Sequence, residues 1–181
     1  MTQPTPSSQL LYQDDGFLVA SLERNGVRHL SVAEPGATYA AIDATALISR
    51  LAGHPDPRLR EALIPLFLRQ PDLAKLVPGL VDKLDPSEAN VLRHFYTAAV
   101  YLQRLWLTTL GMHLGRFPLL PDHFGEATYH LPPPGEHFGE AGLRRLAEIN
   151  ADKTGFEWLS VYQTTMNLFL QQLSLDGEIH D

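Results

Sequence analysis

Residues 85–111, DPSEANVLRHFYTAAVYLQRLWLTTLG, decide the fold. Asp85 is a good helix cap, Pro86 suits the first helical position, and Glu88 stands three residues after the cap, as in a capping box. Val91, Leu92, Phe95, Ala98, Ala99, Leu102, Leu105, Trp106 and Thr109 then recur at three- and four-residue spacings. That is a wide apolar stripe, and it predicts a helix running to Thr109 or Gly111. Tyr96, Val100, Tyr101 and Leu107 lie off the stripe. A helix that is apolar on more than one side belongs in the middle of a bundle. It is long enough to span a membrane, but Gln103 and Arg104 sit near its centre. Placing an arginine at bilayer depth costs about 2.5–3.5 kcal/mol, so the helix reads as buried in protein.

Working outward, the C-terminal side offers a Gly-, Pro- and His-rich loop over 111–139, a modest helix over 140–150 and a strong last helix. In that last helix Trp158, Tyr162, Thr165, Met166, Phe169, Leu170 and Leu173 share one face, and Asp176-Gly177 reads as its stop. On the N-terminal side Asp43 caps a helix to about Ala52, with Gly53 as its end. Asp56-Pro57 opens a second helix through Arg69, which Pro65 should kink or split. Pro71 and Pro78 begin two short helical pieces, 72–77 and 79–84.

Residues 9–32 read as a β-meander. Asn25-Gly26 supplies the positive φ that a tight hairpin turn needs, Asp15-Gly16 repeats the chemistry, and the flanks are apolar. The expected fold is therefore mainly α: a bundle of about five to seven helices with a small N-terminal antiparallel β-meander or hairpin. In domain terms this gives a flexible tail at 1–8 and a hairpin unit at 9–34, closed by Pro35-Gly36 and packed on the helices. A helical domain then spans 35–176, with its long loop at 111–139, and an acidic tail follows at 177–181.

The chain has no cysteine, so disulfides, thiolate catalysis and cysteine-held metals are excluded. The net charge is −7, and residues 116–181 carry 4 basic against 10 acidic groups. Binding to nucleic acid depends on neutralising phosphates, which an acidic chain does poorly. A basic patch at Arg58, Arg60, Arg69 and Lys75 is the one opening for a DNA-binding regulator. The start shows neither a basic nor an apolar leader region and does not read as a signal peptide, which points to the cytoplasm.

Candidate chemistry is sparse. Asp122-His123-Phe124-Gly125-Glu126-Ala127 is nearly repeated as Glu136-His137-Phe138-Gly139-Glu140-Ala141. His123, Glu126, His130, His137 and Glu140 have the nitrogen and oxygen ligands that suit zinc, nickel or iron, and this loop would serve a metal-dependent or RNA-acting hydrolase. None of the histidines is spaced i, i+4 as in H-E-x-x-H. Arg116 and His123 have about the separation of the Arg and His in helical HEPN-type ribonucleases, but Pro118 and Pro121 interrupt any helix between them. No nucleophile elbow, P-loop or dinucleotide fingerprint occurs. The reading calls for no cofactor. Tyr96, Tyr101, Arg104 and Trp106 on the long helix are the candidate interaction surface, because interface centres favour aromatic residues and arginine.

Residues 56–69 (DPRLREALIPLFLR) and 71–74 (PDLA) resemble a segment of uncharacterised bacterial helical proteins encoded beside minimal nucleotidyltransferases, in toxin–antitoxin-like arrangements. Residues 96–104 (YTAAVYLQR), 120–124 (LPDHF) and 157–162 (EWLSVY) are similar to further segments of that group, so the resemblance covers 43–173. It implies a protein partner and brings no catalytic residues. The expectation is a noncatalytic helical component acting by protein–protein contact, as an antitoxin-like or adaptor partner of a nucleotidyltransferase or as a homodimer.

Overall fold

In the computed structural model, which describes residues 6–28, 30 and 39–178, the axis is helix α6, Pro86–Leu105. To reach it the chain passes through α1 (Pro6–Arg24), α2 (Ala44–Gly53), α3 (Pro57–Glu61), α4 (Leu63–Arg69), a 3-10 turn at Pro71–Leu76 and α5 (Val77–Val81). After it come α7 (Leu107–Leu114), α8 (Gly125–Tyr129), a 3-10 turn at Glu136–Gly139, α9 (Glu140–Thr154) and α10 (Trp158–Glu178).

Asp85 caps α6, its Oδ1 accepting from the Ser87 N–H at 2.9 Å and the Glu88 N–H at 3.1 Å. The Glu88 carboxylate, expected to close a capping box, lies against Gly53 of α2. Every residue from His94 to Gln103 is buried. The off-stripe residues mark this correctly, since α6 packs against α2, α4, α5 and α9. The helix ends six residues before Gly111, however. Trp106 leaves helical geometry at φ −106°, ψ 19°, and α7 sets off in a direction that packs it on α10. Among the described residues no helix is long and apolar enough to cross a membrane.

The N-terminal β-meander is overturned: residues 6–24 are helical, and no strand occurs among the described residues. Asn25-Gly26 does make its positive φ, with Gly26 at 80°, but as the left-handed residue after a helix. The Gly26 N–H donates to Glu23 O and the Val27 N–H to Leu22 O, both at 3.0 Å. Buried Val27 follows buried Leu22, the apolar contact that accompanies this kind of helix end. Asp15-Gly16 is not a turn either. Gly16 is inside α1, where a Cβ would stand 2.7 Å from the Tyr39 hydroxyl. The second strand's Leu18 and Leu22 are instead one helical turn apart, and both are fully buried. Of the remaining N-terminal expectations, residues 1–5 of the tail, 29 and 31–34 of the hairpin unit and the Pro35-Gly36 terminator lie outside the described residues.

Asp43 and Asp56 cap α2 and α3 through the Ala46 and Arg58 N–H groups, at 3.0 and 2.9 Å. The helix expected over 57–69 is broken at Ala62, three residues before Pro65. A proline ring collides with the carbonyl four residues earlier, here Glu61, where α3 ends. α9 runs past Asn150 to Gly155, whose φ of 72° suits its cap position. α10 buries Tyr162, Thr165, Met166, Phe169 and Leu173, the expected face, and continues through Asp176-Gly177 to Glu178. Residues 179–181 of the acidic tail lie outside the described residues.

Candidate interaction surface

The last two turns of α6 hold the 116–139 segment in place. Tyr96 Oη donates to Pro121 O at 2.7 Å and Tyr101 Oη to Pro132 O at 2.6 Å. Gln103 Nε2 donates to Pro118 O at 3.1 Å, and its Oε1 accepts from the Leu120 N–H at 2.7 Å. Arg104 Nη1 reaches Gln103 Oε1 at 2.7 Å and Nη2 reaches Leu120 O at 2.9 Å. Proline-rich chain lacks N–H groups for a ladder of its own, so its carbonyls need outside donors. Burial, with the Asp122 charge nearby, pushes both phenols well above their ordinary range, so they serve as neutral donors. Burial lowers Arg104, while Tyr96, Asp122 and Tyr101 favour its charged form.

This corrects half of the expected interaction surface. Tyr96 and Tyr101 are fully buried and occupied internally, whereas Arg104 and Trp106 are half-buried at the edge. Around that edge stand side chains the sequence reading passed over. Leu105 and Leu107 flank Trp106 and are exposed. Leu119 is exposed between Pro118 and Leu120, both bonded to the Gln103–Arg104 pair. Phe138, 76% exposed, precedes Gly139, where a Cβ would stand 3.3 Å from Arg104 Cβ. Four large exposed apolar residues thus stand on the segments around one end of α6. The missed signal was that Leu119 and Phe138 belong to a loop that has no period to read.

The loop histidines are dispersed. His123 stacks on Tyr96, ring centroids 5.3 Å apart, with Nε2 3.2 Å from Ala74 O. His130 is the left-handed residue ending α8, at φ 54°. His137 is exposed, its Nδ1 3.5 Å from Glu136 Oε1. Glu140 pairs with Arg144 at 2.8 Å on α9, and Glu126 is exposed on α8. Among the described residues no three His, Cys, Asp or Glu side chains lie where they could hold a metal ion.

A second polar centre is enclosed. His94 Nε2 and Tyr162 Oη are 2.5 Å apart, and the imidazole is surrounded by Phe95, Trp158 and Tyr162. Burial, and secondarily Lys153, lowers His94 to about 3, so it is neutral. Burial also raises Tyr162, and pushes Tyr129 up to about 12.

No protein-family model matches the chain, and neither a curated protein nor a solved structure is similar to it. The fold and this surface therefore define the protein only as a class: a helical bundle carrying an apolar edge at one end of its central helix.

Proposed function

We propose that the protein is a noncatalytic interaction component whose partner docks on Leu105, Leu107, Leu119 and Phe138, around Arg104 and Trp106. The supporting observation is that these exposed apolar residues stand on segments tied to one end of α6, while the polar side chains there are spent on holding the chain's own loop. Clustered exposed apolar side chains are a mark of interaction surfaces. Glu136 beside Phe138, and Glu126 acting on Tyr101 from α8, put negative charge on the border, Glu140 being paired with Arg144. The matching partner has an apolar centre and a basic rim, which argues for a different protein over a second copy of this acidic chain. The nucleotidyltransferase-linked resemblance makes a minimal nucleotidyltransferase encoded alongside the first partner to test, in an antitoxin-like or adaptor role.

Coexpression with that neighbour, followed by copurification, should yield a stoichiometric complex that weakens as salt rises. The Leu107→Asp, Phe138→Asp double variant should fold normally and lose it. A strictly monomeric protein with no recovered partner, or a complex indifferent to the double variant, overturns the reading.

A further inference from the structure

A hollow of about 180 Å³ opens between α9 and the start of α10. Two alanines one helical turn apart, Ala147 and Ala151, make the space, and Trp158 closes it from the other helix. Trp158 is held firmly. Its Nε1 donates to Thr154 Oγ1 at 2.8 Å, and Thr154 Oγ1 donates in turn to Asn150 O at 2.8 Å. His94 meets the indole edge-on with centroids 4.4 Å apart, and Phe95 and Tyr162 pack around it. The indole is therefore a rigid wall with a surface turned to the hollow.

Charge at the mouth is mostly paired, with one carboxylate left over. On α9 Arg144 is engaged by Glu140 at 2.8 Å and Glu148 by Arg145 at 3.0 Å, while Glu157, just before α10, stands outside those pairs. Glu157 is oriented because Oε2 accepts the Ser160 N–H at 2.8 Å, capping α10. An indole attracts cations through its quadrupole, and neighbouring carboxylates add to that field. We propose that this hollow is a binding site for a quaternary ammonium head group, seated against Trp158 with Glu157 at its rim. A methylated ammonium suits it better than a bare one, because it is weakly hydrated and gives its methyl surface to the alanines and the indole.

The test uses the full chain and choline chloride as probe. The reporter is the indole N–H resonance of Trp158 in 1H–15N spectra, assigned with Trp158→Phe. Choline should shift that resonance saturably, and 3,3-dimethyl-1-butanol, its uncharged isostere, should bind roughly tenfold more weakly. Ala151→Met, which fills the hollow from a half-buried position at its rim, should abolish the shift while leaving the thermal transition in place. Glu157→Gln, which keeps the cap, should weaken it severalfold. No saturable shift with choline, an equal response to the uncharged isostere or to sodium chloride, or full retention in Ala151→Met overturns the proposal.

Discussion

The two near-repeats, 122–127 and 136–141, share a histidine, a phenylalanine and a glycine, and each leads into a helix, yet one is docked and the other displayed. In the first, Asp122 caps α8, its Oδ1 accepting the Gly125 N–H at 2.6 Å and its Oδ2 the Glu126 N–H at 3.1 Å. In the second, the equivalent Glu136 is one methylene longer and turns towards His137. His123 and Phe124 then fold onto Tyr96, and Phe124 is only 9% exposed. His137 and Phe138 have no such platform, and both take left-handed φ, 45° and 55°. Each costs about 1–2 kcal/mol for a residue with a Cβ. Tyr101 lies between the copies. A Cβ on Gly125 would stand 2.7 Å from its hydroxyl, one on Gly139 2.8 Å from its carbonyl oxygen, and Gly142 of α9 packs directly on its ring. Nearly identical local chemistry thus acquires opposite exposure from one methylene and from what the rest of the chain places nearby.

The largest break in this comparison should come from the shared platform. Tyr101→Ala removes a fully buried ring that packs on Gly125 and Gly142 and holds Pro132 O between the copies, and should cost about 3–5 kcal/mol in denaturant unfolding. A loss under about 1 kcal/mol would mean the two segments do not depend on it. Next, Phe124→Ala should cost a few kcal/mol, whereas Phe138→Ala should stay within about 0.5 kcal/mol. Equal costs would erase the distinction between docked and displayed.

The caps should separate less widely. Asp122→Ala should cost about 1 kcal/mol, and Glu136→Ala close to nothing, each read from the urea midpoint. His137→Gly, which relieves the left-handed strain, should be neutral or stabilising by up to about 1 kcal/mol. A clear loss would show that the His137 side chain is held by something the displayed state lacks.

The enclosed histidine sharpens the contrast with the exposed ones through pH. His94 in the folded chain titrates near 3, below the ordinary 6.5, so the unfolded chain takes up the proton first. Its contribution to stability is complete above pH 6.5 and is lost as the pH falls from there towards 3. Stability measured across that window should decline less steeply in His94→Gln than in the parent, and equal slopes would remove His94 as the cause.

Much of the bundle was legible because its signals are local. Asp43, Asp56 and Asp85 cap where their sequence context says, since a cap is satisfied by N–H groups two or three residues on. The face of α10 and the burial of α6 follow from a 3.6-residue period. The candidate surface was half legible: Arg104 and Trp106 sit at the edge, but the apolar residues that complete it arrive from 119 and 138. No periodicity links those positions to α6.

What the sequence determined alone was therefore the helical character of 44–105 and 140–176, the central place of α6 and the positive φ at Gly26. Whether that φ closed a hairpin or ended a helix was a tertiary decision, because both geometries ask the same of glycine. Burying Leu18 and Leu22 on one side of a helix settled it. The fate of the two repeats was decided in the same way. A histidine and a phenylalanine become core or surface according to whether an aromatic platform waits beside them, and Tyr96 lies far from both in sequence.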